Sequence, residues 1–206
     1  MSNKNYISNS HESIPMFRNG LLEKLSKVHF SIPLFLYIPV IAWCCWMALF
    51  QVQSGIITWA LTVLAGIFVW SFVEYVMHRF VFHFEPSSKW GRRLHFIFHG
   101  VHHDYPNDAM RLVLPPSVSI PLATGFYLLY KSFIPDLYFY GFFAGFIGGY
   151  LFYDISHYAL HHFNFKGRFW KKLKKHHMMH HYADATRGYG VSSSFWDKIF
   201  RSDFQK

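Results

Sequence analysis

Four long apolar stretches alternate along the chain with polar, basic ones. Residues 31–50 contain no charged side chain over twenty positions, about the length of helix needed to cross a hydrocarbon core of roughly 30 Å. A polar turn at 51–55 reverses the chain. A second stretch, 56–73, then runs directly into Glu74, His78 and His83. The third, 117–130, follows Pro115 and Pro116, and the fourth, 137–153, is rich in Gly and Phe and runs into Asp154, His157 and His161. The pattern predicts an all-α integral membrane protein with four transmembrane helices at about 31–50, 56–77, 115–133 and 137–155. Gly141, Gly145, Gly148 and Gly149 are expected to permit close helix contact.

The remaining segments are expected to lie outside the lipid. Residues 1–13, rich in Ser and Asn, read as a disordered tail. Residues 14–29 space apolar side chains at helical intervals with Arg18, Lys24 and Lys27 between them, as in a short interfacial or cap helix. The expected organisation is a tail and interfacial helix at 1–30, a membrane domain at 31–161 with a cap insertion at 78–114, and a C-terminal cap at 162–206. No charged n-region with a short apolar run and cleavage site opens the chain, so a cleaved signal peptide is not expected.

Charge then orients the bundle. The chain carries 20 Lys and Arg against 11 Asp and Glu, a net charge of +9. A basic protein of this kind invites comparison with nucleic-acid binders, but its basic residues lie between long apolar runs, which fits a membrane protein better. With the turns at 51–55 and 131–136 on one side, Lys131 is the single basic residue there. The positive-inside rule therefore makes both termini and the 78–114 segment cytoplasmic. Cys44 and Cys45 are adjacent within an apolar run, where a disulfide between them is disfavoured and a packing role is expected.

Histidine supplies the chemistry. Ten of the fifteen histidines form four clusters: His78/His83, His99/His102/His103, His157/His161 and His177/His180/His181. The two H-x-x-H-H triplets have helical spacing that brings side chains onto one face, so each triplet is expected to direct three imidazoles at one place. His157 and His161 share a helical face. His78 and His83, five apart, do so only if the helix breaks or distorts near His83. Ten imidazoles exceed what one ion needs, so two metals are expected at the cytoplasmic face. Imidazole suits zinc, iron, copper and nickel alike, and of these zinc has no redox chemistry. His95 and His176 are candidates either to join their cluster's face or to hold a ligand in place through hydrogen bonds, whereas His11, His29 and His162 read as ordinary polar residues. Residues 31–50, 56–73 and 117–130 contain neither histidine nor acid, which argues against an ion-transport pathway.

The joint spacing H-x4-H, H-x2-H-H, H-x3-H, H-x2-H-H resembles the fatty acid hydroxylase/sterol desaturase superfamily of membrane di-metal oxygenases. Within it the chain is most similar to fatty acid 2-hydroxylases, through FHGVHHDYPNDAMRLVLPP at 98–116, YDISHYALHH at 153–162 and GYGVSSSFWDKIF at 188–200. The resemblance implies that the ten clustered histidines are the metal ligands. Two iron ions there would be able to activate dioxygen, and protein produced without iron is expected to carry zinc and be inactive. The resemblance further implies hydroxylation at carbon 2 of a fatty acyl chain, free or in a sphingolipid such as a ceramide, with dioxygen as co-substrate.

The resemblance assigns Tyr153 and Asp154 to the reacting carbon, and Asp104 and Asn107 are further candidates to hold the substrate's polar head. Eukaryotic relatives often carry an N-terminal cytochrome b5 domain. This sequence shows none, so a separate cytochrome b5-like or ferredoxin-type donor is expected to supply the electrons. The basic run Lys171, Lys172, Lys174 and Lys175 fits anionic lipid, an acidic redox partner or a solvated positive-inside face. The expected location is a bacterial inner membrane or the endoplasmic reticulum. The rival readings are another superfamily activity, such as sterol desaturation or carotenoid hydroxylation, and a membrane protein with a structural zinc cap.

Overall fold

The computed structural model describes residues 7–204, and among them every regular element is helical. The four apolar stretches become α2 (Ile32–Trp46), α3 (Ile56–Val76), α6 (Pro116–Lys131) and α7 (Asp136–His162). Two helical runs, Ile32–Gln51 and Ile56–Phe82, are long and apolar enough to cross a membrane. Their outer faces carry Phe35 at 77% exposure and Ile57 at 73%. A continuous apolar surface of this kind marks a face made for lipid rather than water.

At the centre is α7, with α3 packed along it more extensively than any other helix and α2 and α6 on further sides. Seventeen of its residues are buried, from Phe139 to Leu160. Glycine is what lets α3 come so close. A Cβ at Gly145 would lie 2.0 Å from the Val63 carbonyl oxygen, and one at Gly66 would lie 2.0 Å from that of Phe142. Gly141 and Gly149 likewise leave no room for a Cβ, against Thr62 and Trp70. Gly148 departs from the expectation: it faces open space, with nothing within 4 Å of its Cβ position. Trp70 then packs edge-on against Phe146, with ring centroids 5.2 Å apart.

Above the bundle lie α1 (Gly20–Leu25), α4 (Lys89–His95), α5 (Val101–Asp104), α8 (Arg168–Tyr182) and α9 (Phe195–Ile199). The helix foreseen over 14–29 shortens to six residues. Asn19 caps it by accepting from the amides of Leu21 and Leu22, and Glu23 draws back the amides of Met16 and Phe17, so the chain before Asn19 cannot continue the helix. Burial raises the Glu23 carboxyl, but those amides, Lys27 and Arg111 outweigh it and hold it at about 2. Residues 1–6 of the stretch read as a disordered tail lie outside the described residues. The rest of that stretch is irregular but tied down: the Ser8 amide donates to the Asp104 carbonyl at 2.8 Å, and the Ser13 hydroxyl to Asp108 at 2.5 Å.

Candidate metal centre

The first pair of histidines owes its geometry to a change of helix type. At Met77–Phe82 the end of α3 widens into a π turn, closed by the His83 amide donating to the His78 carbonyl at 3.1 Å. A turn closed from i+5 to i stacks residues five apart on one face. The distortion needed to bring His78 and His83 together is thus this turn, and the helix ends at His83. Another π turn, Phe96–Gly100, joins α4 to α5 and carries His99. His102 and His103 lie on α5, His157 and His161 on α7, and His177, His180 and His181 on α8.

All ten side chains converge, in two groups of five whose ligand atoms lie within 4.8 Å of one another. The first contains His78, His83, His99, His103 and His180; the second contains His102, His157, His161, His177 and His181. Neither triplet points at one place, as its spacing led us to expect. The i and i+4 members go together and the i+3 member crosses over: His102 joins the second group, and His180 the first. Each pentad therefore takes one spaced pair, the i,i+4 pair of one triplet and the odd member of the other.

The donor atoms fit a cation in each pentad. Nε2 of His99 lies 3.2 Å from those of His78 and His83 and 3.0 Å from that of His103. In the second pentad, Nε2 of His177 lies 2.8 Å from that of His161 and 3.1 Å from that of His181. Ligands bonded at about 2.0–2.1 Å to one ion sit about 2.8–3.4 Å apart as the angle at the ion runs from roughly 85° to 110°, so these separations suit a shared metal ion. Burial, reinforced by neighbouring imidazoles, holds His99, His102, His103, His177 and His181 well below the usual imidazole range. It also brings His83 down to about 3 and His180 to about 4. The rings are thus neutral at neutral pH, the form that metal ligation requires.

That depression fixes a pH response. In the unfolded chain these imidazoles take up protons near 6.5, whereas the folded cap refuses them until about 4 at His180 and about 3 at His83. Below pH 6.5 the unfolded state binds more protons, so stability falls with pH across that window. The metal-free protein is expected to show a melting temperature that drops steadily from pH 6.5 to pH 4. A flat profile there would mean that the rings are already charged in the fold.

A loop at the start of the 188–200 stretch, to which the sequence alone gave no role, orients two of the rings. The Tyr189 carbonyl accepts from Nδ1 of His78 at 2.5 Å, and the Arg187 carbonyl from Nδ1 of His180 at 2.6 Å. Two buried acids hold this loop. Glu74 accepts from the amides of Val191 and Ser192, each at 2.9 Å, and from the Ser192 hydroxyl. Asp197 accepts from the amides of Tyr189 and Gly190 at 2.9 and 2.8 Å, and from Ser202 at 2.8 Å. Burial raises the Asp197 carboxyl, but these bonds and His176 outweigh it and keep it below the ordinary range. Glu74 was visible in sequence as the single acid in an otherwise apolar helix; Asp197 lies in the 188–200 stretch that carries the resemblance, where nothing marked it as the anchor of the loop.

Of the flanking histidines, His176 touches Asp197 at 3.1 Å, and His95 reaches the Phe84 carbonyl at 2.8 Å. Asp154 accepts from the Leu114 amide at 3.1 Å and from the Tyr150 hydroxyl at 3.2 Å, bracing α7 against the start of α6. Tyr153 and Asp154 both line a cavity of about 240 Å³ between α3, α6, α7 and the cap. Its wall follows α7 from Phe146 to His157, roughly 16 Å of helix, and includes His99 and His102. Asp104 and Asn107 are not among its lining residues.

Two pentads of neutral imidazoles bordering an apolar cavity, in a helical fold with two membrane-competent helices, mark the chain as a membrane protein with a histidine-rich candidate metal centre. The family model described as fatty acid hydroxylase matches residues 63–202. The chain is 37% identical to a dihydroceramide fatty acyl 2-hydroxylase of Arabidopsis thaliana, over 89% of this chain and 77% of that protein. It is 39% identical to a ceramide very long chain fatty acid hydroxylase of Saccharomyces cerevisiae, over 91% of this chain and 49% of that protein. The human fatty acid 2-hydroxylase is 35% identical, over 92% and 56%. The solved structure of full-length Scs7p, with only its hydroxylase domain visible, superposes with a TM-score of 0.85 at 37% identity, covering 92% of this chain and 71% of that one. This chain belongs to the fatty acid hydroxylase family. It spans about half the length of the yeast and human relatives.

Proposed function

We propose that this protein hydroxylates carbon 2 of a fatty acyl chain, free or carried as the amide of a sphingolipid. The observation that carries this reading is the cavity, lined by Leu122, Phe126, Phe146 and Ile147 and reaching His99, His102 and His157. Such a wall holds an acyl chain by burial, at about 0.8 kcal/mol for each methylene removed from water, and lets the histidine end meet a carbon near the polar head. The relatives' names, fatty acid 2-hydroxylase among them, support the same reaction.

In this reading the ten histidines hold two iron ions, one in each pentad, which supply the redox chemistry that activates dioxygen with two electrons from an external donor. The chain's own residues do the rest. Leu122, Phe126 and Phe146 grip the tail and exclude water, while Tyr153 and Asp154 line the cavity beside His157, where they orient the substrate's polar head. Asp154 holds the turn before α6 in register through the Leu114 amide. Asp104, at the C-terminal end of α5, and Asn107, three residues beyond it, lie outside the cavity wall and take no part in holding the head group in this reading. All four long helices cross the membrane in this reading, with the 78–114 and 162–206 segments forming a cytoplasmic cap. A cytochrome b5-like or ferredoxin-type protein docks there to deliver electrons.

The deciding experiment is lipid analysis of cells expressing the protein, with iron and a reductase supplied and labelled fatty acids fed. Appearance of 2-hydroxy acyl lipids is expected. Their absence sinks the reaction, and a hydroxylated carotenoid or desaturated sterol in their place moves the protein to another activity of the superfamily.

A further inference from the structure

The two pentads have the same composition but different support. In the first, Nδ1 of both His78 and His180 is held by a backbone carbonyl, from Tyr189 and Arg187 respectively. In the second, the Nδ1 atoms of His102, His177 and His181 are buried with no protein partner. An imidazole whose Nδ1–H donates to a carbonyl is locked in the tautomer that presents a lone pair at Nε2, and its ring is held and made more basic. Only one pentad has this advantage.

Both carbonyls come from one turn, and the turn is built around Asp197. Its two carboxylate oxygens accept from the amides of Tyr189 and Gly190 and from Ser202, with His176 at 3.1 Å. The backbone is committed to this shape. Gly188 has a φ of +70°, and a Cβ at Gly190 would lie 2.0 Å from the Ser193 carbonyl oxygen. Asp197 is itself fully buried and touches no imidazole of either pentad; its reach to the first runs through peptide groups.

We propose that Asp197 is a positioning residue for one metal position only: through the 187–190 turn it fixes His78 and His180, and the ion in that pentad is held more tightly than the ion in the other. The inference rests on the reading of each pentad as one metal position. The structure thereby divides the centre into a firmly held ion and an exchangeable one.

Zinc release from the purified full-length chain in detergent tests this directly. Wild type loaded with zinc and exposed to excess chelator is expected to lose two ions per chain in two phases whose rates differ roughly 10–100-fold, the range that such supporting hydrogen bonds command. Asp197→Asn is expected to bring the slow phase up toward the fast one while leaving the fast phase unchanged. A merely structural role for Asp197 would instead weaken both. Two ligand variants make the same assignment without relying on that substitution. His78→Ala should leave one ion that departs fast, and His177→Ala one ion that departs slowly. A single rate for both ions in wild type, a slow phase surviving in His78→Ala, or unchanged kinetics in folded Asp197→Asn overturns the proposal. Uptake of fewer than two zinc ions by wild type overturns the two-position reading beneath it.

Discussion

Replacing His180 by alanine is expected to lower 2-hydroxy acyl product by more than about 100-fold while leaving the membrane helices folded. His180 is the one member of the first pentad that comes from α8, and its Nε2 sits 2.9 Å from that of His83. Its other nitrogen holds the Arg187 carbonyl at 2.6 Å. One substitution therefore removes a ligand atom and releases a loop that also orients His78. Loss of a group that merely supports a ligand costs about 10–100-fold, so loss of the ligand itself should exceed that. The side chain lies in the cap and contributes nothing to the α3–α7 interface, so size-exclusion behaviour in detergent should match wild type. His29→Ala, an exposed ring bonded to Ser31, is the control and should keep full activity. Full hydroxylation in His180→Ala would remove this residue from the ligand set.

Gly145→Val should have the largest effect on stability. Its Cβ position lies 2.0 Å from the Val63 carbonyl oxygen and 2.7 Å from the carbonyl carbon, so the obstacle is backbone and cannot rotate away. The helices must separate, at a cost of about 3 kcal/mol or more. For a chain of this size that is roughly 6–12 °C in melting temperature, or outright failure to fold. Because α3 leads into His78 and α7 carries His157, even partial separation should also pull the pentads apart. Gly148→Ala, three residues along the same helix, meets open space and should be neutral or slightly stabilising, by up to about 1 kcal/mol. Equal melting temperatures for the two variants would contradict the close packing of α3 on α7.

The helix periods and residue types carried much of this protein. The uncharged runs 31–50, 56–73, 117–130 and 137–153 predicted the long helices, because a helix that crosses lipid needs an apolar surface along its length. Histidine spacing gave the candidate ligands. The division of the triplets was also implicit in the period: at 3.6 residues per turn, positions i and i+4 differ by about 40° around the helix, whereas i+3 and i+4 differ by about 100°. Taking the three as one face overlooked that His102 and His180 must diverge from their neighbours.

Tertiary structure alone decided the rest, because it depends on contacts between residues far apart in the chain. That a π turn brings His78 over His83 follows from where α3 meets the cap, and no local propensity in that segment specifies it. That Glu74 and Asp197 grip one loop depends on packing residue 74 against 191 and 192. A buried carboxylate must find donors wherever the fold brings amides to it, and sequence gives no distance between them. The sequence by itself determined which side chains bear the chemistry; the packing of α3, α7, α8 and the 187–192 loop decided which of them meet.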